Sequence, residues 1–320
     1  MALGLDFSAA EAYKAYVEEI KEDLFRQLFF GFKTAQLATP VEGVKGRMVM
    51  TELQVKDNLT KRWSQAFSGT DNVKFDPLVL EVVTQKVENS VVPQLFEGSY
   101  LGHMRRSGQS PTDFPFEAFI LDSIIQKVNQ ELETAFWQGE AVASPASTDN
   151  LIQTIDGVLH IIADLITATT ITPVATGAFT SANAVTNLRT MWEQVDTAYK
   201  DGGTDIFMSY SVYDFYRIHY KTLFGTHPNE VPIGTTDYMG LNFELGGGKT
   251  TIIPVAGMGT SGRVVICPRE NLYYGYDALE DWSTWDFQQD VRELKYWMDF
   301  NFGVQMAMKR DGILVVNDQT

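Results

Sequence analysis

The sequence predicts an α+β fold built around one long helix. Three observations predict it. Residues 113–139 carry a helical apolar stripe, residues 47–56 alternate with the period of a strand, and beyond residue 142 short helical and extended stretches follow one another.

The helix comes first. Phe116, Ile120, Ile124, Val128, Leu132 and Phe136 recur every four residues, and Phe119, Leu121, Ile125 and Ala135 widen the stripe. Glu117, Asp122, Gln126, Asn129, Gln130 and Glu133 fill the other side. Asp113 can cap the first amides, and Pro115 suits a first turn that needs no NH. Gly139 is expected to stop the helix by taking the left-handed conformation. At 1.5 Å per residue the rod is roughly 36 Å long, against a usual helix of about 11 to 12 residues. Such a rod belongs in a core, and Ile124 and Val128 are expected to lie against a sheet.

Residues 8–30 read as an amphipathic helix on Tyr13, Val17, Ile20, Leu24 and Leu28, with Ser8 and Glu11 as a capping box. Residues 38–46 form a linker. In the strand at 47–56, Val49, Thr51, Leu53 and Val55 point one way, and Met48, Met50, Glu52, Gln54 and Lys56 the other, giving one better-buried face. A polar tip at 57–72 leads to a second extended run, Val73 to Val92. Together they predict a long two-stranded arm. An isolated ribbon is marginal in water, so something must support it.

Residues 93–112 are irregular. Residues 149–166 predict a helix on Ile152, Ile155, Leu159, Ile162 and Ile166, capped by Asp149, and the stretch ITATTITPVATGAF a β or loop excursion. Residues 183–200 predict another helix on Val185, Leu188, Trp192, Val195 and Tyr199, ended by DGG. A strand follows at Ile206 to Met208. Ser209 or Ser211 then opens a helix to about Leu223. The Gly- and Pro-rich region 224–275 reads as loops and short strands, with candidates at 264–267 and 272–276. Residues 291–308 and 312–317 read as closing strands.

The 320 residues, 44% of them hydrophobic, suffice for two or three lobes. No run of about 18 apolar residues predicts a membrane span, and the first twenty residues lack the pattern of a secretory signal. One cysteine, Cys267, excludes an intrachain disulfide and a cysteine-rich zinc site, and fits a reducing cytosol. A net charge of −16 argues against a general nucleic-acid binder. The charge is uneven. Residues 1–110 hold 13 Lys+Arg and 14 Asp+Glu, while residues 111–320 hold 12 and 27. Within 45–74 the sign reverses: Lys45, Arg47, Lys56, Lys61, Arg62 and Lys74 meet only Glu52, Asp57 and Asp71. That asymmetry can steer one copy onto another; alternatively the segment is an ordinary solvated loop.

Catalytic patterns fail on inspection. GMGTSG at 257–262 matches Gly-x-Gly-x-x-Gly, but RVVICP follows, which forms a strand and not the helix a pyrophosphate needs; a hairpin turn is expected. GGGKT at 246–250 lacks the first glycine of a phosphate loop, since Phe243 stands there, and reads as a flexible turn. No Gly-x-Ser-x-Gly elbow occurs. His103, His160, His219 and His227 have no metal-binding spacing. Asp281, Asp286, Asp290 and Glu293 form an acidic cluster, read as a solvated face or, in the other reading, a catalytic or cation site. Arg105 and Arg106, beside a glycine, could bind phosphate or form a salt-bridged loop at a subunit contact. No catalytic residue, cofactor or metal ligand is assigned.

The order of elements then carries more than any motif. A helical arm precedes the ribbon 47–92. The segment LFEGSYLGHMRRSGQSPTDFPFEAFILDSIIQKVNQELETAFWQG at 95–139 follows, then the strand–helix unit DIFMSYSVYDFYRIHYK at 205–221 and the ending KRDGILVVND at 309–318. Over nearly its whole length the chain resembles the major capsid protein of tailed bacteriophages, the Hong Kong 97 type of fold. The resemblance implies an N-terminal arm at 1–44 and an extended β-ribbon loop at 45–92 that reaches a neighbouring subunit. It implies a peripheral domain at 93–141 and 276–320, with a spine helix at 115–138, and an axial domain at 142–275. It implies self-assembly into hexamers and pentamers of an icosahedral shell around phage DNA, without sequence-specific binding, in a virion assembled in the bacterial host cytoplasm. A portal and a decoration protein are further implied partners. No long charged scaffolding extension precedes the arm, so a separate scaffolding protein or a mature form is implied. No lysine–asparagine crosslinking pair can be matched. Val49, Leu53, Val55, Lys56, Lys61, Arg62, Lys74, Arg105 and Arg106 are the expected intersubunit contacts. An encapsulin-like compartment is the alternative within the fold, and a soluble enzyme using the 281–293 cluster is the alternative outside it.

Overall fold

The computed structural model describes residues 31–55, 60, 62–63, 65, 73–92, 116–143, 150–228, 230–233, 238–277, 286–289 and 293–319. In chain order the elements are β1 (Thr39–Val41), β2 (Arg47–Val55), β3 (Val73–Glu81), β4 (Val83–Val91), α1 (Phe116–Gln138), α2 (Val158–Thr167), α3 (Ala184–Glu193), α4 (Thr197–Gly202), β5 (Asp205–Met208), α5 (Tyr210–Phe224), β6 (Glu230–Ile233), β7 (Tyr238–Asn242), β8 (Thr251–Pro254), β9 (Val264–Cys267), β10 (Leu272–Gly275), β11 (Asp286–Gln289), β12 (Leu294–Met306) and β13 (Val315–Val316). The helix expected at 8–30, the caps at Asp113 and Asp149, and the irregular stretch 93–112 lie outside the described residues.

Two larger sheets and a ribbon result. In the first sheet the long strand β12 pairs antiparallel with β4, β10 and β11, and β1 joins β10 in parallel. The second has the order β13-β9-β5-β8-β7-β6, and β2 and β3 pair only with each other. Strand alternation feeds two cores. In β5, Ile206 and Met208 join α3 and α5, while Phe207 joins α1; in β9, Val264 and Ile266 take the first side and Val265 and Cys267 the second. Both faces of this sheet are therefore buried, which is why its strands read as unbroken apolar runs.

The spine α1 packs into the core that also holds Met298, Phe300, Phe302, Val304 and Met306 of β12. Ile125, Val128, Leu132, Ala135, Phe136 and Trp137 are buried, and Ile124 is half-buried. The Trp137 and Phe207 rings lie 5.5 Å apart. The helix thus touches material from both sheets, and its apolar stripe is wide for that reason.

The structure corrects several expectations. Glu133 is not on the solvent side: it is buried, accepting hydrogen bonds from the Thr34 backbone NH (2.8 Å) and hydroxyl (2.7 Å). Gly139 ends the helix without a positive φ. It is glycine because a Cβ there would lie 2.5 Å from the Ile155 carbonyl oxygen, where the chain crosses Gly157. The extended run from Val73 is not one arm strand. It breaks at Val82, and β4 pairs with β12 across nine positions, Val83 to Val91. The helix expected at 149–166 is a 3-10 turn at Leu151–Gln153 followed by α2, with Gly157 as N-cap. The helix expected at 183–200 divides into α3 and α4, with Asp196 at the N-cap position of the second. Residues 255–263 are no hairpin turn, because β8 and β9 flank β5 on opposite sides; this connection crosses the sheet and rests on α1, where a Gly257 Cβ would meet the Glu133 carbonyl oxygen at 2.2 Å. Two strands also cross the expected domain division: β10 pairs with β12, and β13 pairs with β9.

Candidate assembly site

Among the described residues the ribbon carries a strand-pair face with exposed apolar side chains. Its register sets Met48 against Leu80, Val49 against Val79, Met50 against Leu78, Thr51 against Pro77, Leu53 against Phe75 and Val55 against Val73. Directly opposed residues share a face. On one face Leu80 is buried with Val44 and Val82, and Met50 and Val41 pack against them. This root presses onto the first sheet: Gln305 Nε2 donates to the Val79 carbonyl, and a Gly303 Cβ would sit 2.0 Å from the Glu81 carbonyl oxygen.

The other face is open. Val49 and Phe75 are each 65% exposed, and Val79 is 40% exposed. The better-buried side of β2 is therefore the Met50 side and not the Val49 side. Pro77 gives β3 one residue without an NH, which disfavours a further strand beside it.

Of the residues singled out from sequence, Val49 stands on this open face, and the register places Leu53 and Val55 opposite Phe75 and Val73. Lys74 is paired in register with Gln54. Arg62 is exposed. Lys56, Lys61, Arg105 and Arg106 lie outside the described residues. Arg47, counted among the basic residues, spends its charge on Glu81 at 3.0 Å within the ribbon root. Sequence reasoning missed Phe75, Val79 and Trp63, the last 87% exposed beside Arg62. The alternation Val73, Phe75, Pro77, Val79 was the signal for the first two.

A second feature joins the start of the described chain to the spine. Lys33, Gln126, Asn129, Glu133 and Gly257 line a cleft of about 480 Å³. Below it Trp137 Nε1 donates to the Thr34 hydroxyl at 2.8 Å, which in turn donates to Glu133. Burial raises the Glu133 carboxyl above its ordinary range, against the opposing pull of the Thr34 hydrogen bonds and Lys33. Burial likewise lowers Lys33, offset in part by Glu133. The ammonium of Lys33 donates to the Pro254 carbonyl and sits 5.5 Å from the Tyr210 ring centre. Thr34, Glu133, Trp137 and Lys33 are thus used in packing the start of the described chain onto the spine.

Among the described residues no three His, Cys, Asp or Glu side chains gather to hold a metal, and no helix is long and apolar enough to cross a membrane. His219 accepts the Val185 NH at Nδ1, and His160 lies 3.7 Å from Asp156 and from Asp164. The 246–250 glycines form the β7–β8 turn, with Gly247 and Gly248 at positive φ. In the acidic cluster, Asp281 and Asp290 lie outside the described residues, Asp286 opens β11 and Glu293 is exposed.

No family model matches the sequence, and no curated protein does. Solved structures do. A chain of the satellite phage P4 procapsid, a particle including a size-determination (Sid) protein, aligns over 92% of this chain and 98% of its own, at 10% identity and a TM-score of 0.56. The capsid of an empty GTA particle aligns over 88% and 87%, at 12% identity and 0.53. The capsid of cyanophage A-1(L) aligns over 88% and 90%, at 11% identity and 0.52. At such identities the likeness is one of backbone. It extends over most of the chain's length, and on that ground the chain has the fold of tailed-phage capsid proteins.

Proposed function

We propose that the chain is a major capsid protein, which assembles into hexamers and pentamers of an icosahedral shell around phage DNA and catalyses no reaction. The observation that carries this is the open apolar face of the ribbon, in a chain with a capsid fold. Val49, Phe75 and Val79 lie in water on a two-stranded element that a neighbour's body would cover. Leu53 and Val55 extend the adhesive strip, while Lys56, Lys61, Arg62 and Lys74 steer the tip onto a body whose residues 111–320 are strongly acidic. Arg105 and Arg106 form a salt-bridged loop at a second subunit contact. The acidic chain suits a shell that must not adhere to its DNA. The ribbon proper is 47–81, the spine and the β12 sheet form the peripheral part, and the β5 sheet with α3 and α5 forms the axial part. A separate scaffolding protein, a portal and a decoration protein are the proposed partners, and the virion, assembled in the host cytoplasm, is the proposed location.

Negative-stain microscopy of the purified protein tests this. Capsomers or closed shells are expected. A monomer or small discrete oligomer at every concentration and salt would overturn it.

A further inference from the structure

We propose that Glu133 makes the seating of residues 32–38 on the spine proton-linked: this strap is held firmly while the carboxyl carries a proton and loosens once it is charged. The device belongs to the subunit itself and stands apart from the shell reading.

The strap joins the spine to the first sheet. Phe32, Ala35, Leu37 and Ala38 are buried in the core that holds α1 and β12. The Phe32 ring lies 5.7 Å from that of Tyr274 on β10 and 6.1 Å from that of Phe302 on β12. The Ala35 NH donates to the Phe32 carbonyl, and the Leu37 and Ala38 NH groups donate to the Thr34 carbonyl, so the strap is a compact turn. It runs into β1, which pairs with β10.

Its polar fastening to α1 converges on one carboxyl. An indole NH only donates, and this fixes the direction of the chain of bonds. Trp137 donates to the Thr34 hydroxyl at 2.8 Å, the hydroxyl donates to Glu133 at 2.7 Å, and the Thr34 NH donates to the second carboxyl oxygen at 2.8 Å. The 256–258 connection closes against the helix at the same residue, so near that a Gly257 Cβ would lie 2.2 Å from the Glu133 carbonyl oxygen. Glu133 is 7% exposed.

Such a site favours the neutral carboxyl. A buried charge loses its hydration, and here burial outweighs the help from Thr34, from Lys33 and from the Gly257 NH, so the carboxyl titrates above its ordinary range. Lys33 is the cation that faces it from the strap. The Lys33 ammonium donates to the Pro254 carbonyl and lies 5.5 Å from the Tyr210 ring centre, and burial draws it too toward neutrality. The 256–258 connection, Ala-Gly-Met, brings no titratable side chain. On α1 the amides of Gln126, Asn129 and Gln130 line the cleft, and Lys127 and Glu131 pair with each other at 3.7 Å. Protonation leaves the fastening in place: a neutral carboxyl still accepts from Thr34 and gains a proton to donate into the cleft. Because the folded pKa exceeds the unfolded one, the contribution of this carboxyl is complete below the unfolded pKa and is lost as pH rises through the folded one.

Amide hydrogen exchange on the full chain between about pH 4 and pH 9, corrected for the rate of a free amide at each pH, tests this. In the wild type, protection of Thr34, Leu37 and Ala38 should fall as pH rises, by up to about tenfold per pH unit between the two pKa values, while Leu188 and Met191 of α3 hold steady in the other core. Glu133→Gln should flatten the dependence at the strap. Lys33→Met removes the charge that favours the ionised carboxyl and should carry the fall on to higher pH; with the wild type it decides the matter should Glu133→Gln not fold. Protection of the strap independent of pH in the wild type, the same fall in Glu133→Gln, a fall shared equally by α3, or a shift to lower pH in Lys33→Met would each overturn the latch.

Discussion

Replacing Val49 and Phe75 by serine should leave the subunit intact and cripple its association. Each side chain is 65% exposed, so the subunit's own fold draws little from either. Surface changes away from special features stay within about 0.5 kcal/mol. At a covered interface the same side chains count fully. Complete burial of such a residue is worth about 1.5–3 kcal/mol, so the exposed two-thirds of each holds about 1–2 kcal/mol. The pair then supplies about 2–4 kcal/mol per contact, or roughly 30- to 700-fold in its equilibrium constant at 1.4 kcal/mol per factor of ten. Ordering of the two side chains reduces the figure, least for valine with its single stiff rotor. Light scattering against protein concentration reads the assembly threshold, and thermal melting of unassembled subunits reads the fold. Assembly at the wild-type threshold would refute the docking face. A lowered melting temperature of the subunit would refute the premise that the face is open.

The remaining expectations follow from single sites. Leu132→Ala, at a fully buried position on the spine, should cost about 2–5 kcal/mol in denaturant unfolding. For Glu133, whose folded pKa is raised by burial, the stabilising proton is bound below the unfolded pKa and lost as pH rises through the folded one. Glu133→Gln should therefore gain on wild type at pH 7 relative to pH 5 in paired melting curves; a difference independent of pH would contradict the burial argument. Cys267, fully buried and with its thiol pushed up by burial, should react with a thiol reagent only after denaturation. The combined variant Lys56→Glu, Lys61→Glu, Arg62→Glu and Lys74→Glu should fold by circular dichroism yet assemble poorly, and wild-type assembly should weaken as salt rises.

What the sequence displayed, and what it hid, divides along the range of the interactions. Periodicity found α1, α5, β2 and β9 because each buries a continuous stripe, and a stripe is local in sequence. It also found Val185, Leu188, Trp192 and Val195 as one core face. It misplaced Glu133 because the partner that makes burial tolerable, Thr34, lies 99 residues away. It misread Gly139 because a missing Cβ serves two ends, and only the crossing with Gly157 shows that close approach and not left-handed backbone is the reason. The run from Val73 to Val92 looked continuous because valines recur through both β3 and β4. They differ in partner, and pairing with β12 more than two hundred residues later leaves no local trace.

The same limit explains why the site was legible in part. An open apolar face has the alternation of a half-buried strand, so Val49, Leu53 and Val55 announced a face that must be covered, but not by what. Among the described residues the Met50 side is closed by Val44, Leu80 and Val82, and the Val49 side stays exposed. Among the described residues no third strand pairs with the ribbon, and Pro77 disfavours one beside β3. Because β3 runs directly into β4 at Val82, any force on the docked ribbon is transmitted to β12 and through Phe300 and Phe302 to the spine. Under the proposed shell function that coupling has a use: contacts made at the rim would be borne by the core, so many weak contacts could hold one rigid body in register with the next.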